Sequence, residues 1–449
     1  MLSVRSNFVR AAGMSLAVAL VAAAGRAADL SAAPVSDLIE QNRRLQEQVR
    51  NQQLTIETLS AKMNEVLKAS ERHERELRGL SDRVAEAGAA AVAPGRSANR
   101  EREVRISAEA GLAFFNTGIE GQFPKSEFRV DDAVIAIEAP VRKNVYFYTE
   151  LKLLTREANT ENFQLGELFV DFEDISAAWG SPGLLNLRVG RINVPFGEEY
   201  LVRGPVANPL ISHALSDIWG VDEGLEIHGR IGPAQYVVAV QNGGVSRLRD
   251  FNADKAVTVR VGWDPAPWLH LSGSAMRTGE LASAADSLSE VWFGTGFFRS
   301  IAPANRATAF WANLAQFDAR ARWKTGHVAA SIGRARYDDS DPVADNSRRF
   351  RFGHVEAVQE ISGGIFGAVR YSEIRVPRGY PLAGWGAMGA FFFRPTFTTG
   401  LQRTSVGLGY RMGAPLVLKF EYTWESGRTT TGARRDKEDF FGTELGVKF

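Results

Sequence analysis

Any chemistry in this chain must come from charged groups held at fixed places. One stretch concentrates them beside backbone-altering residues: Val189-Gly190-Arg191-Ile192-Asn193-Val194-Pro195-Phe196-Gly197-Glu198-Glu199. An alternating strand ends there. Pro195 cannot donate to a ladder, and Gly197 permits a turn. The loop that follows carries Arg203, Pro205, Pro209, His213, Asp217 and Trp219. A new alternating run then opens at Asp222-Glu223-Gly224-Leu225-Glu226-Ile227. Guanidinium and carboxylate groups on such a loop can attract or repel passing ions. Arg191 and Arg203, on either side of the Pro-Phe-Gly turn, are the candidates to face a solute. The plainer role for Arg191 is an ion pair with Glu198 or Glu199 that braces the loop. His213 and Asp217 lie four apart, which suits a metal site or a base–orienter pair only on a helix. The chain has no Gly-x-Ser-x-Gly elbow and no His-Glu-x-x-His, and its 6 histidines are scattered singly. We therefore expect no catalytic residue, metal site or cofactor.

The elements that carry these residues alternate with period 2 from Val104 onward. Sixteen candidate strands fall near 104–115, 128–139, 144–155, 163–173, 184–192, 222–230, 234–242, 255–264, 267–277, 316–325, 327–337, 351–360, 362–373, 402–412, 415–425 and 440–449. Boundaries are least defined between 278 and 360, where 306–314 also has strand character and 351–360 alternates weakly. Short connections such as Ile231-Gly232-Pro233 and Gly413-Ala414-Pro415 alternate with long polar ones at 193–221, 243–254, 278–315, 338–350, 374–401 and 426–439. Parity has content as well as period. Leu416, Leu418, Phe420, Tyr422 and Trp424 oppose Val417, Lys419, Glu421, Thr423 and Glu425. Phe317, Ala319, Ala321 and Trp323 oppose Asp318, Arg320, Arg322 and Lys324. An apolar, aromatic-edged face opposite a charged one fits lipid outside and water inside, and about sixteen strands enclose an aqueous channel. Short turns then lie in the periplasm and long loops outside.

By this parity the lumen cations are Lys152, Arg188, Arg230, Arg260, Arg320, Arg322, Lys324, Arg370, Arg403, Arg411, Lys419 and Lys448. The opposing acids are Glu109, Glu150, Glu167, Asp171, Glu226, Asp318, Glu421 and Glu444. A modest excess of positive charge favours anions mildly at most. The whole chain is close to neutral, with 53 basic and 52 acidic residues, which argues against a nucleic-acid partner. It has no cysteine, so disulfide staples and thiolate metal sites are excluded. Glycine (43) and phenylalanine (27) are plentiful, as many pleated strands with aromatic belts require.

Ahead of the strands the period is different. Arg5 and Arg10 precede an apolar run from Ala11 to Ala24 and small residues around Ala27 and Ala28, a secretory leader spanning about 1–28. Residues 36–87 follow a heptad register with a core of Leu45, Val49, Ile56, Leu59, Met63, Val66, Leu77 and Leu80, which predicts a coiled coil. Asn42, Gln52, Ser70 and His73 interrupt its seam and can set register. Residues 88–103 read as a linker. The chain closes on Phe441, Leu445, Val447 and Phe449 along one face.

A secreted chain ending on such a strand resembles a bacterial outer-membrane β-barrel. The strand end Gly190-Arg191-Ile192-Asn193-Val194-Pro195-Phe196-Gly197-Glu198-Glu199 and the start Asp222-Glu223-Gly224-Leu225-Glu226-Ile227-His228-Gly229 resemble two motifs of the phosphate-selective porin O/P family. The resemblance covers roughly 104–449 and implies a sixteen-stranded homotrimeric porin whose third loop folds into the pore. It places Arg191, Pro195, Phe196, Gly197, Glu198, Glu199, Arg203 and Asp217 at the constriction. Lysine, which anion-specific members place there, is absent between Lys152 and Lys255, so phosphate selectivity does not transfer automatically, and a mild anion (phosphate-like) preference is expected. The expectation is an all-β transmembrane barrel after an α-helical coiled coil, a passive porin for small hydrophilic or anionic solutes, set among outer-membrane lipids. The other reading is a structural anchor joining the barrel, through the coiled coil, to peptidoglycan or a periplasmic protein. Deleting 36–87 is expected to lower the temperature at which the oligomer dissociates on a heat-modifiable gel. A truncated chain with an equally heat-resistant trimer would remove the trimerisation role.

Overall fold

The structure is a computed structural model. It describes residues 103–154, 163–215, 218, 220–243, 253–282, 306–382, 384 and 397–449. The leader, the heptad segment with Leu45 through Leu80, and all but the end of the linker lie outside the described residues.

Sixteen long strands follow one another: β1 (Arg105–Thr117), β2 (Glu127–Arg142), β3 (Val145–Leu154), β4 (Gln164–Phe172), β5 (Asn186–Asn193), β6 (Val221–Ile231), β7 (Ala234–Gln241), β8 (Ala256–Ala266), β9 (Leu269–Arg277), β10 (Ala309–Trp323), β11 (Gly326–Asp339), β12 (Arg348–Ser362), β13 (Ile365–Tyr380), β14 (Thr398–Arg411), β15 (Leu416–Thr429) and β16 (Phe440–Lys448). Each pairs antiparallel with the next. β16 returns to β1, from Glu109 opposite Lys448 to Thr117 opposite Phe440, so the sheet is a closed barrel. Two short ladders, Leu281–Ala282 on β10 and Arg434–Arg435 on β15, extend the wall. Tight turns such as Gly363-Gly364, both at positive φ (58 and 86), match the strand twist as a primed hairpin requires.

Burial is the inverse of a soluble protein's. On β15 Phe420 and Trp424 are 45% and 51% exposed, while Lys419 and Glu421, on either side of Phe420, are 1% and 2% exposed. Large apolar side chains on the outside and charges within require a hydrocarbon exterior. No described helix is long and apolar enough to cross a membrane.

The wall is uneven. β4 to β9 have 8 to 11 residues, and β10 to β15 have 14 to 16. Here the strands run past their sequence-based limits. β10 starts at Ala309 rather than near 316 and absorbs most of 306–314, β13 continues to Tyr380, and β15 reaches Thr429. Backbone hydrogen bonding continues above the apolar band, whereas the apolar mark of the outward face stops at positions such as Arg351, Arg375 and Arg428. β12 alternates weakly for the same reason.

Val369 is 44% exposed and stands between Ala357 and Val406 on the outer face. Val369→Arg should destabilise the barrel by about 2–4 kcal/mol, measured by denaturant titration of the vesicle-folded protein. An unchanged midpoint would mean that this face does not meet lipid.

Candidate functional site

The loop after β5 turns into the barrel. Its ends are clamped together by the Val194 N–H donating to the Gly220 carbonyl at 2.9 Å. Val194 and Phe196 are buried at the start of the loop, beside Leu215, Met276 and Phe310. Gly197 has φ +72, a left-handed conformation that favours glycine, and a Cβ there would meet only the movable end of the Gln316 side chain. The Gly197 N–H donates to Ser274 Oγ at 3.1 Å. Glu198 accepts from Arg260 on β8 at 3.0 Å and lies 3.5 Å from His270. A 3₁₀ turn, Glu199–Val202, follows. Glu199 accepts the Ala214 N–H at 2.8 Å and so joins the loop's two limbs. Within the turn, burial pushes the Tyr200 hydroxyl pKa up.

The far limb is held by three buried cations on the opposite wall. Arg370 donates to the Ser212 carbonyl at 2.7 Å and to Asn208 Oδ1 at 3.0 Å, and it pairs with Glu356. Arg403 donates to the His213 carbonyl at 2.8 Å and pairs with Glu425 at 2.8 Å. Lys419 donates to the Leu210 carbonyl at 3.0 Å and pairs with Glu444 at 2.6 Å. Glu421 accepts the N–H groups of Ile211 and Ser212 at 2.5 and 2.8 Å. On β1, Glu109 accepts the Val206 N–H at 2.7 Å. Leu210 packs among Val358, Phe366, Ala368 and Val417, and Ile211 among Ala113, Phe115, Phe123 and Phe440. The loop is therefore a strap across the lumen. Donors and acceptors of the wall satisfy backbone groups that would otherwise be buried without partners.

The space left beside it is a cavity of about 320 Å³ between the strap and the wall of β1 to β3. Its cations are Lys152, Arg203 and Lys448, and its acids are Glu109, Asp132 and Glu150. Lys448 itself pairs with Glu109 at 3.2 Å. Lys152, Lys448, Glu109, Asp132 and Glu150 all come from the wall and Arg203 from the strap, so charges of both signs are mixed around this gap.

The residues expected to serve the pore are distributed differently. Arg191 shares the face of Val189 and Leu225. It pairs with Glu223 at 2.7 Å and donates to the Gly166 carbonyl, so it does not meet Glu198 or Glu199. Parity explains this, because Arg191 is one residue out of step with inward-facing Arg188 and Ile192. Pro195, Phe196, Gly197, Glu198, Glu199 and Arg203 all lie on the strap, whereas Asp217 lies outside the described residues. His213 braces the strap, its Nε2 lying 3.3 Å from the Arg203 carbonyl. Arg188 pairs with Asp171 and Glu226 at 2.8 and 3.1 Å, and Arg230 with Asp264 at 3.2 Å. Arg320 lines a small gap beside Glu198 and Glu199. Arg411 covers the Phe366 ring at 4.5 Å, and Arg322 is exposed beside the turn that ends β10. Parity sets Glu425 on the inward face with Lys419, but the weak alternation of β12 hides Glu356, the lumen acid that the sequence does not reveal.

No protein-family model and no curated protein matches the sequence. Among solved structures, the chain is similar to the outer membrane channel DcaP of Acinetobacter baumannii at 12% identity and TM-score 0.51, over 79% of this chain and 99% of that one. It is also similar to OmpT, an outer membrane protein of Vibrio cholerae in its trimer form, at 8% identity and TM-score 0.50, over 77% of this chain and 99% of that one. At these identities the likeness is one of fold.

Lys419→Met removes the ammonium that pairs with Glu444 and bonds the Asn208 and Leu210 carbonyls, a change worth about 3–5 kcal/mol for a broken buried pair. The expected outcome is loss of hydrogen-exchange protection at the amides of Ile211 and Ser212, partly recovered by adding Glu444→Gln. Full protection in the single variant would show that Lys419 does not hold the strap.

Proposed function

We propose that this chain is an outer-membrane porin through which small hydrophilic solutes diffuse passively. The observation that carries the reading is the strap across the lumen, with a polar cavity left between Arg203 on the loop and Lys152, Glu109 and Glu150 on the wall. Size exclusion follows from the strap's position, and ion preference from the few charges that still face the gap. Arg188, Arg260, Arg370, Arg403 and Lys419 are each paired with a carboxylate. Paired charges add little net field, so the anion preference is mild at most. The phosphate-selective O/P resemblance enters here as a statement about architecture, with phosphate as a candidate solute only.

Two further parts of the reading rest on likeness and on sequence. The likeness to DcaP, an outer membrane channel, and to OmpT, an outer membrane protein with a trimer form, supports an outer-membrane homotrimer. The heptads of 36–87 would trimerise in the periplasm, with peptidoglycan or a periplasmic protein as their candidate partner.

Single-channel recording of the purified full chain in a planar bilayer, under a KCl gradient and with phosphate added, tests this. Steady current, a reversal potential displaced slightly toward chloride, and no block by low phosphate are expected. Lys152→Glu with Arg203→Glu should move the reversal potential toward potassium. Block by low phosphate would replace the general porin with a phosphate-specific channel. Silence from folded trimers would overturn the pore and leave the structural anchor.

A further inference from the structure

The outer face of the tall wall carries a pattern the pore does not use. Arg334, Arg351 and Arg375 stand directly opposite one another across β11, β12 and β13. The same row continues through Gly400 on β14 to Arg428 on β15. One pair further along, Arg336 faces Arg349. All of these arginines are exposed. They share the parity of Val355, Tyr371, Val406 and Trp424, which are 41% to 51% exposed on the lipid face. Like charges directly opposite in a ladder are destabilising. Local relief is sparse: Arg375 pairs with Glu373, and Arg336 lies 3.6 Å from Asp338. Arg334, Arg349, Arg351 and Arg428 make no ion pair among the described residues.

The row's height identifies what meets it. Ten residues separate Ile365, beside the short turn, from Arg375. That is roughly 33 Å of strand, or about 25 Å along the axis of a barrel with strands tilted near 40°, the height of an apolar band. Tyr371 and Trp424 are the last aromatic residues on this face of their strands, four residues below Arg375 and Arg428. Between Arg375 and Arg428 the wall is hollowed into a groove of about 480 Å³, lined also by Glu373, Thr399, Gln402, Ser426 and Arg434, so three guanidinium groups there stand against one carboxylate. Gly400 forms its floor. A Cβ there would meet nothing nearer than 3.8 Å, so packing does not demand glycine, and the missing side chain leaves the groove open.

We propose that these arginine rows and the groove bind the phosphorylated headgroups of lipids in the leaflet at the long-loop end of the barrel. Planar guanidinium groups take phosphate oxygens in pairs, and a row of them matches a lipid bearing more than one phosphate. A second copy of this wall is excluded as the occupant, because it would oppose arginine to arginine. The proposal rests on the outer-membrane reading but not on conduction.

Retention of bis-phosphorylated lipid A by the full chain, folded in detergent, is measured by native mass spectrometry. Dephosphorylated lipid A serves as the control, and inorganic phosphate as the competitor. The wild type should hold the phosphorylated lipid and release it to neither probe. Arg351→Gln with Arg375→Gln and Arg428→Gln should weaken retention at least 10-fold, while heat-modifiable mobility and single-channel conductance stay unchanged. Gly400→Leu, which fills the groove and keeps every charge, should also weaken it. Equal retention by either variant overturns the proposal, as does equal binding of the dephosphorylated lipid to the wild type. Displacement by millimolar inorganic phosphate also overturns it, because the site would then serve a soluble anion. A chain that never conducts yet holds lipid through these arginines would sink the pore and leave this site standing.

Discussion

Everything in this structure depends on the ladder between the first strand and the last. A sheet edge in hydrocarbon leaves its N–H and C=O groups without partners, at several kcal/mol each, so a spanning sheet must close. Here the closing strands are more than 300 residues apart in sequence. They meet over Glu109 to Thr117 and are completed by reciprocal bonds between Ala108 and Phe449 at 3.1 and 3.0 Å. Closure gives the sheet two faces that meet different solvents. Period 2 then assigns each residue to one of them, and a shift of one residue would turn Lys419 toward lipid and Phe420 toward the lumen.

Inside, the closed wall creates a second problem, which the strap solves. A loop drawn into a low-dielectric interior brings unpaired backbone groups with it, and charged wall residues need partners as well. The two sets of groups satisfy each other. Arg370, Arg403 and Lys419 each take one wall carboxylate and at least one strap carbonyl, and Glu421 and Glu109 take strap N–H groups. Buried ion pairs add little net stability, but losing one partner is expensive. Such a network therefore specifies where the loop sits more than how stable the barrel is. Apolar contacts at Leu210 and Ile211 add the non-directional part of the attachment.

Much of the fold could be read from the chain, because lipid writes it residue by residue. Strand count, the alternation of short and long connections, and the inward parity of Lys419, Glu421, Arg370 and Arg403 all come from local pattern. The site was less legible. That Ser212 would meet Glu421, or Val206 meet Glu109, depends on contacts between residues 209 and 97 apart, and no periodicity encodes them. Arg191 was misplaced because a motif drew attention to its position in a loop while its parity pointed outward. The strand ends between β10 and β15 were drawn short because the apolar signal stops where the membrane stops, although the hydrogen bonds continue.

The distribution of arginine joins these points. Inward-facing arginines on β5, β8, β13 and β14 stand beside carboxylates, so counting them as pore charge overstates the field a solute meets. Outward-facing arginines above the apolar band stand beside other arginines. An identical side chain therefore does opposite work on the two faces. Within, it is neutralised and used to place backbone. Without, it accumulates as positive potential at the level of the lipid headgroups. The small cavity by Arg203 lies between these regimes. Its lining mixes Lys152, Lys448 and Arg203 with Glu109, Asp132 and Glu150, so the charges around it nearly cancel.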